Sequence, residues 1–556
     1  MIPHFTAAEK AVHYPDDRRS FLALKPYMWA ILGGLLLGSV GLAWGQYLLF
    51  GLPNDPSLAT AATAGRDPAG FPWWANLSHW VNFFFLALLI RSGLSILADH
   101  PRLYWNNGCT PTTEWARFTP ITVPLDRLWT AKDDNRYINP ILGLPGYRHT
   151  VGIARVWHFL TVPFFLLNGV VFMVLLFTTN HWHRLVPASW QVLPDAWRVF
   201  VYYATLHLPV EPNGFYHYNA LQQVSYFAVV FLLAPLSMLT GMAMSPAIEN
   251  RFHWFPKLFG NRQSARSLHF LVLVAFVLFL VIHVSMVAAT GLLRNMNHIT
   301  VGTDNTTSPT GLYWGIGIVL LTVAFGGLAH WLSWRKQRGL QALQGAVNGT
   351  LWRATLNNFE SRISYEKKDI SPYFWANGKL PVSEEWKQLE ANHFLGYKLI
   401  ISGLVENPVE LTLAQLQALA KEQNITMHNC IQGWTGIAEW GGVPLREIIE
   451  LVKPHANAHT VVFYSFGEGP FGGAYYDTQT LENCLHPQSI LAWEMNYAPL
   501  TATYGAPLRL RVENQLGYKM VKWIRAIEFV ESHETVGQGY GGKNEDDEYF
   551  DLLPNT

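Results

Sequence analysis

In the N-terminal part of the chain apolar residues come in long unbroken runs rather than in alternation, and six of these runs are long enough to cross a bilayer. They cover roughly residues 28–50, 78–98, 157–178, 222–245, 267–290 and 312–334. Each predicts a membrane-spanning helix, because a span in lipid must satisfy its own backbone hydrogen bonds. After His330-Trp331-Leu332-Ser333-Trp334 the pattern changes abruptly. Residues 335–370 are polar and read as a linker. Beyond them, short alternating apolar runs with Gly, Pro and Asn between them predict a strand-rich domain. The chain therefore divides into a cytoplasmic N-terminal segment (1–27), an α-helical membrane bundle of six transmembrane helices (28–334), a linker (335–370) and an α+β domain (371–556).

Composition agrees with a protein partly in lipid. Of 556 residues 14% are charged and 14% aromatic, 23 are tryptophan, and the formal net charge is zero. Membrane lipid is thus an expected partner, and no basic excess points to nucleic acid. The three cysteines, Cys109, Cys430 and Cys484, are too few and too scattered for a disulfide framework. The first apolar run starts only at Met28 and is about 23 residues long, so it predicts a span and not a cleavable signal. Arg18-Arg19 lacks the short apolar region and small-residue site of a twin-arginine signal.

Lysine and arginine set the orientation. Eighteen fall on the side that carries the N-terminus: Lys10, Arg18, Arg19 and Lys25, seven from Arg102 to Arg155 (Arg148 among them), four from Arg251 to Arg266, and Arg335, Lys336 and Arg338. Four fall on the other side, Arg66, Arg184, Arg198 and Arg294. By the positive-inside rule the first side is cytoplasmic, and six spans return the C-terminal domain to it. The expected location is a bacterial inner membrane, with a catalytic domain facing the cytoplasm.

Four histidines lie in the runs. His79 opens the second, His158 the third, and His269 and His283 share the fifth. Ionisable residues at membrane depth are costly and usually functional, although a single one near a span end is commonly an interface residue. Fourteen residues between His269 and His283 make about 3.9 turns and about 21 Å of rise, so both share one face, one near each leaflet. Span direction then pairs His158 with His269 on one side of the membrane and His79 with His283 on the other. Two bis-imidazole sites for two stacked haems follow.

In the C-terminal domain the most informative residue is Cys430, in Met427-His428-Asn429-Cys430-Ile431-Gln432-Gly433-Trp434. A lone cysteine is commonly inert packing. Here Gly505-Ala506-Pro507-Leu508-Arg509 and Gly517-Tyr518-Lys519-Met520-Val521-Lys522-Trp523 follow it, and cations beside free backbone N–H groups suit a phosphate-bearing cofactor. These blocks come in order after Ser371-Pro372-Tyr373-Phe374-Trp375-Ala376-Asn377-Gly378 and Ile401-Ser402-Gly403-Leu404-Val405-Glu406-Asn407-Pro408. Trp440-Gly441-Gly442-Val443-Pro444-Leu445 and Leu491-Ala492-Trp493-Glu494-Met495-Asn496 lie between them. Together they resemble the molybdopterin-binding domain of the sulfite oxidase superfamily. The resemblance implies one molybdopterin without a nucleotide extension and a molybdenum-oxo centre ligated by Cys430, the expected catalytic residue. A soft thiolate suits a metal already held by sulfur. The resemblance also puts Arg509 and Lys522 on the pterin phosphate, with Ser465, Gly517, Lys519, Met520 and Val521 at the cofactor. Tyr504 departs from the family, which has histidine or asparagine there. Gln432, Trp434 and Glu439 are expected around Cys430 in place of an arginine-rich sulfite pocket.

Spans two to five resemble the di-haem cytochrome b subunit of membrane formate dehydrogenases and nickel–iron hydrogenases. The resemblance is carried by His79-Trp80, Arg91-Ser92-Gly93-Leu94, Arg155-Val156-Trp157-His158 and Arg266-Ser267-Leu268-His269. It implies b-type haems on the four histidines. Arg91 is read as a haem-propionate partner, or else as a snorkelling arginine. His207 and His217 sit among tyrosines of an expected interface belt that could shape a quinone pocket. His428 is open to cofactor or substrate, and Glu545-Asp546-Asp547-Glu548 reads as a solvated end.

The favoured function is a membrane-bound molybdenum oxidoreductase. It would perform two-electron oxygen-atom transfer on a cytoplasmic small-molecule or oxo-acceptor substrate, a sulfoxide, N-oxide or other oxo-acceptor, and exchange electrons with quinone through two b haems. Resemblance to the methionine sulfoxide reductase pair favours the reductive direction. The alternative is a transmembrane haem electron carrier whose C-terminal domain is a non-catalytic docking or sensory module.

Overall fold

A computed structural model describes residues 26–54, 68, 70–119, 121–139, 141–144, 151–208, 214–356, 359 and 364–556. The expected segment 1–27 lies outside these except for its last two residues, as do Lys10, Arg18, Arg19, Lys25, Arg66 and Arg148 of the charge count. Among the described residues six helices are long and apolar enough to cross a membrane. They are α1 (Pro26–Phe50), α2 (Trp73–Asp99), α3 (Val151–Thr178), α4 (Ala220–Ala243), α5 (Arg262–Ala289) and α6 (Thr310–Arg335). Within α4, Ala228–Leu233 widens into a π-helix, a distortion frequent at functional sites.

Three helices begin five or more residues before their apolar runs, α2 at Trp73 and not 78 among them. Helix α3 starts at Val151 and not 157, and α5 starts at Arg262 and not 267. The α5 extension is held by Asn261, whose side chain accepts from the backbone N–H groups of Gln263 and Ser264. The added turns carry Arg155, Arg262, Gln263 and Arg266 towards the C-terminal domain.

The stretch expected as a linker is largely helical: α7 covers Gln337–Thr355. It is fastened at both ends. Arg338 donates to the carbonyls of Glu545 and Asp546 at 2.6 and 3.0 Å, and Asn348 donates to the carbonyl of Phe159 at 3.2 Å. Polarity there reflects a helix lying against other parts of the chain.

The C-terminal domain holds two five-stranded sheets. Its strands are β1 (Lys398–Gly403), β2 (Val409–Thr412), β3 (Glu422–Asn429), β4 (Thr435–Pro444), β5 (Thr460–Glu468), β6 (Ala474–Thr480), β7 (Ile490–Met495), β8 (Ala498–Pro499), β9 (Arg509–Arg511) and β10 (Ile524–Val530). One sheet runs β8-β7-β4-β3 with β9 also on β7, all antiparallel. The other runs β2-β1-β10-β5-β6, in which only β10 and β1 are parallel. Leu399, Phe463 and Ile527 of this sheet pack with Leu508 and Leu510 in one core.

A second core joins the two parts of the chain. Tyr104, Cys109, Trp129 and Ala131, from the connection between α2 and α3, pack with Phe374, Trp375, Cys430, Trp434 and Tyr504. The connection is therefore built into the C-terminal domain. The acidic end is also built in: Lys543–Glu548 forms a short helix whose Glu545 is fully buried. That corrects the expectation of a solvated end, and the reason is an ion pair with Lys519.

Candidate functional site

The membrane histidines meet as their spacing requires. His158 and His269 have ring centroids 6.5 Å apart, and His79 and His283 are 6.3 Å apart. Two imidazoles bonded at about 2 Å to opposite sides of one metal place their centroids at about 6 Å. Each gap therefore fits a haem iron. The outer nitrogens are placed accordingly: Nδ1 of His158 is bonded to Ser92 at 3.0 Å, and Nδ1 of His269 to Thr240 at 3.1 Å. Such bonds fix the ring and leave Nε2 for a metal. Gly93 and Gly241 lie beside these two rings, where an added Cβ would sit 3.8 and 3.6 Å from their Cε1 atoms. Small residues there keep the walls close to the imidazoles.

Arg91 is bonded to backbone on two sides. Its guanidinium donates to the carbonyls of Gly326 at 3.1 Å and Gly143 at 2.9 Å. It ties α2 to α6 and to the connection before α3.

Cys430 follows β3 and begins the turn into β4. Asn377 Nδ2 lies 3.6 Å from its sulfur, and the thiol faces Gln432 Oε1 at 3.7 Å. Burial pushes the thiol up to about 12, so a thiolate here needs a metal's charge to form at neutral pH. Trp434 is fully buried and stacks on His428 at 5.2 Å. His428 Nδ1 accepts from Arg511 at 3.0 Å. Burial, then Arg511, Arg509 and Lys522, hold its pKa well below the usual histidine range, so it is a neutral acceptor. Glu439 turns away from Cys430: its carboxylate accepts from the Tyr497 backbone N–H at 2.7 Å. In β4 it occupies a position whose neighbours lie along the β3–β4 ladder, which corrects its assignment to the pocket.

The cations divide into two classes. Arg509 and Lys522 converge because Leu510 N–H donates to Val521 O at 2.8 Å and Ile524 N–H to Leu508 O at 3.1 Å. Gly505, at φ +120°, fits between them, its missing Cβ only 3.1–3.2 Å from both side chains. Lys522 donates to the carbonyls of Asn377 and Thr503, and Arg509 to the carbonyl of Tyr504, while its Nε is buried with no partner. Burial, then Arg511, depresses Arg509, and burial, then Arg509, depresses Lys522. Two buried cations, each bonded directly to neutral carbonyls, are the arrangement a phosphate would complete. Ser465 braces it: its hydroxyl donates to the Lys522 carbonyl at 2.7 Å.

Lys519 belongs to the other class. It is fully buried between Asp477 and Glu545, the latter at 2.7 Å. Burial would lower the ammonium, but the two carboxylates outweigh it and raise its pKa. Its expected place at the cofactor is thus corrected to a structural ion triad. Met520 and Val521 are buried core residues. Gly517 is needed for close approach: an added Cβ would lie 2.2 Å from the His428 ring. Tyr504 is satisfied internally, its hydroxyl donating to Phe374 O at 2.9 Å.

The membrane part completes the surroundings of Cys430. Arg262 donates to Asn429 Oδ1 at 2.9 Å, and Gln263 to the Gly433 carbonyl at 2.9 Å. Gln432 donates to the carbonyls of Asp99 and Ala131, both at 3.4 Å. Arg266 packs against Gly433, 3.4 Å from where its Cβ would be. Arg155, Arg262 and Asp99 all act electrostatically on the Cys430 thiol. These arginines entered the sequence reading as topology charges and, for Arg155 and Arg266, as parts of the cytochrome b resemblance, not as neighbours of Cys430. The available signal was that Arg155 and Arg266 each stand three residues before one of the paired histidines.

A family model described as an oxidoreductase molybdopterin binding domain matches residues 387–537, and one described as prokaryotic cytochrome b561 matches residues 70–300. The protein-methionine-sulfoxide reductase catalytic subunit MsrP of Gluconobacter oxydans is 30% identical over 223 residues, 37% of this chain and 71% of that protein. The MsrP of Xanthomonas campestris pv. campestris is 31% identical over 141 residues, 24% of this chain and 44% of that one. The YedZ1 subunit of Azospira oryzae is 34% identical over 144 residues, 26% of this chain and 52% of that one. The chain spans about half the length of the Azospira and Xanthomonas relatives. The matches agree with a membrane cytochrome b domain followed by a molybdopterin-binding domain.

Proposed function

The chain belongs with the molybdopterin-binding oxidoreductases, and from that premise we propose that it is a multi-pass membrane enzyme carrying its own electron relay. It exchanges electrons between an oxygen-atom-transfer substrate and the quinone pool. The substrate belongs to the sulfoxide, N-oxide or related oxo-acceptor class; sulfoxide is what the names of its relatives carry. The domain faces the cytoplasm, a reading supported by the lysine and arginine bias.

Bound molybdopterin would supply two-electron oxygen-atom transfer, and two bound b haems single-electron relay. The rest falls to side chains. Cys430 gives the permanent thiolate, and Arg509 and Lys522 bind the phosphate of one pterin without a nucleotide extension. Ser465 positions Lys522 through its carbonyl. His158 with His269, and His79 with His283, hold one haem each, with Ser92 and Thr240 orienting the first pair. Asn377, Gln432 and Trp434 wall the reacting side of Cys430 and keep bulk water out.

The observation that carries the reading is the seating of the Cys430 turn on the first turn of α5, the helix that carries His269, whose ring faces His158. Purified full-length protein should contain molybdenum near one and haem near two per chain, and an oxo-acceptor should reoxidise its dithionite-reduced haems. Haem without molybdenum would instead make the chain an electron carrier with a docking domain.

A further inference from the structure

Residues on both sides of Cys430 are bonded to three separate segments of the membrane domain. Asn429 and Gly433 are held by the first turn of α5, and Gln432 by Asp99 at the end of α2 and by Ala131. Thr435 donates to Asn107 O at 2.8 Å, and Trp375 to Cys109 O at 2.8 Å. Cys430 itself is 3% exposed. The covering connection is internally braced, since Arg102 is fully buried and bonded to Asp134 at 2.8 Å and Glu114 at 3.3 Å. It does not lie over the site as a loose loop.

From this closure we infer that the membrane domain roofs the Cys430 site and confines its substrate to small free molecules, excluding a sulfoxide carried on a polypeptide. The inference rests on the molybdenum-enzyme reading above and narrows its substrate class. A methionine sulfur stands only roughly 5 Å from its own backbone, and an extended strand occupies about 5 Å of width. On the membrane-domain side of Cys430 a polypeptide would therefore have to displace Trp375, Gln432 and the 99–136 connection, which already pack there. A free sulfoxide or N-oxide of a few heavy atoms needs no such opening.

Two measurements on the full chain test the roof. Reduction of one sulfoxide breaks its S–O bond, takes two electrons from dithionite-reduced haems and two protons from solvent, and releases thioether and water. At equal sulfoxide concentration, N-acetylmethionine sulfoxide should reoxidise the haems at least about 100-fold faster than a peroxide-oxidised, unfolded methionine-rich protein. The second measurement needs no turnover. Full-length Cys109→Ser/Cys484→Ser protein, made without molybdopterin but with both haems, is labelled at alkaline pH. Iodoacetamide should modify Cys430 while a maleimide on a long polyethylene glycol does not until the chain is denatured. Oxidised protein reacting as fast as the free sulfoxide, or the polymer reagent labelling as fast as iodoacetamide, would overturn the roof. If no sulfoxide of either size reacts while labelling stays size-graded, the sulfoxide reading fails and the roof stands.

Discussion

Lys519 and Lys522 stand three residues apart in one glycine-bearing block, yet the geometry gives them opposite roles, and methionine at each separates those roles. Lys519→Met leaves Asp477 and Glu545 buried with no cation between them. Removing one partner of a buried ion pair costs about 3–5 kcal/mol. For a domain of this size that is a fall of about 6–20 °C in melting temperature, at about 2–4 °C per kcal/mol. Burial and the neighbouring Glu545 charge already raise Asp477 in the intact protein, so in the variant the pair binds protons more readily folded than unfolded. Stability tied to such raised groups is present at low pH and lost as pH rises through their folded values. The deficit should accordingly be larger at pH 8 than at pH 5. Lys522→Met should change melting of the cofactor-free chain little, because removing a depressed buried cation offsets the carbonyls left without a donor. It should instead loosen the pterin anchor by roughly 10- to 150-fold, the loss of a charge-assisted hydrogen bond worth about 1.5–3 kcal/mol. The assay pairs tryptophan-fluorescence melting in detergent with molybdenum analysis after gel filtration. A Lys519→Met protein that melts normally but has lost molybdenum, or a Lys522→Met protein with full molybdenum, would refute the division.

Cys430→Ser should keep both haems in the optical spectrum and abolish substrate-dependent haem oxidation; normal turnover would remove Cys430 from the centre. His158→Ala and His269→Ala should lose the same haem, and His79→Ala and His283→Ala the other, so matching residual spectra for His269→Ala and His79→Ala would break the pairing. Ser92→Ala removes the bond to His158 Nδ1 and should weaken retention of that haem by about 10- to 100-fold, read by haem transfer to apomyoglobin; unchanged retention would leave Ser92 a packing role. Sidedness is best read at Leu395, which is 87% exposed, because Thr556 is buried against Asn250 and Glu513 and would not tolerate a fusion. Leu395→Cys should react with an impermeant maleimide only after cells are opened; labelling of intact cells would put the domain outside.

What the sequence made legible follows from which interactions are local. Apolar run length gave six spans, since a helix in lipid satisfies its backbone within itself. Helical rise alone related His269 to His283, and span direction alone supplied their partners. The ordered glycine, proline and cysteine blocks located the pterin cations. Long-range charge pairing was not legible. Lys519 meets Glu545 only because the chain returns after β10, and nothing near position 519 distinguishes it from Lys522. Glu439 was misplaced for the same reason, since only β-sheet register shows that its carboxylate meets Tyr497.

The arginines are the instructive failure, because a cation count treats every lysine or arginine near a span end as a solvated topology signal. Arg262 and Arg266 are instead bonded inside the contact between the two parts of the chain. Two features of the sequence already argued for such a contact. The connection between α2 and α3 is far longer than an ordinary loop, and it carries Tyr104, Cys109 and Trp129, residues that a solvated connection would not keep. A long connection rich in aromatics must bury them somewhere, and the C-terminal domain on the same side of the membrane was the available surface. That burial closes the Cys430 site and brings it against the first turn of α5, the helix that carries His269. One contact surface therefore governs both what reaches the reacting centre and where its electrons leave.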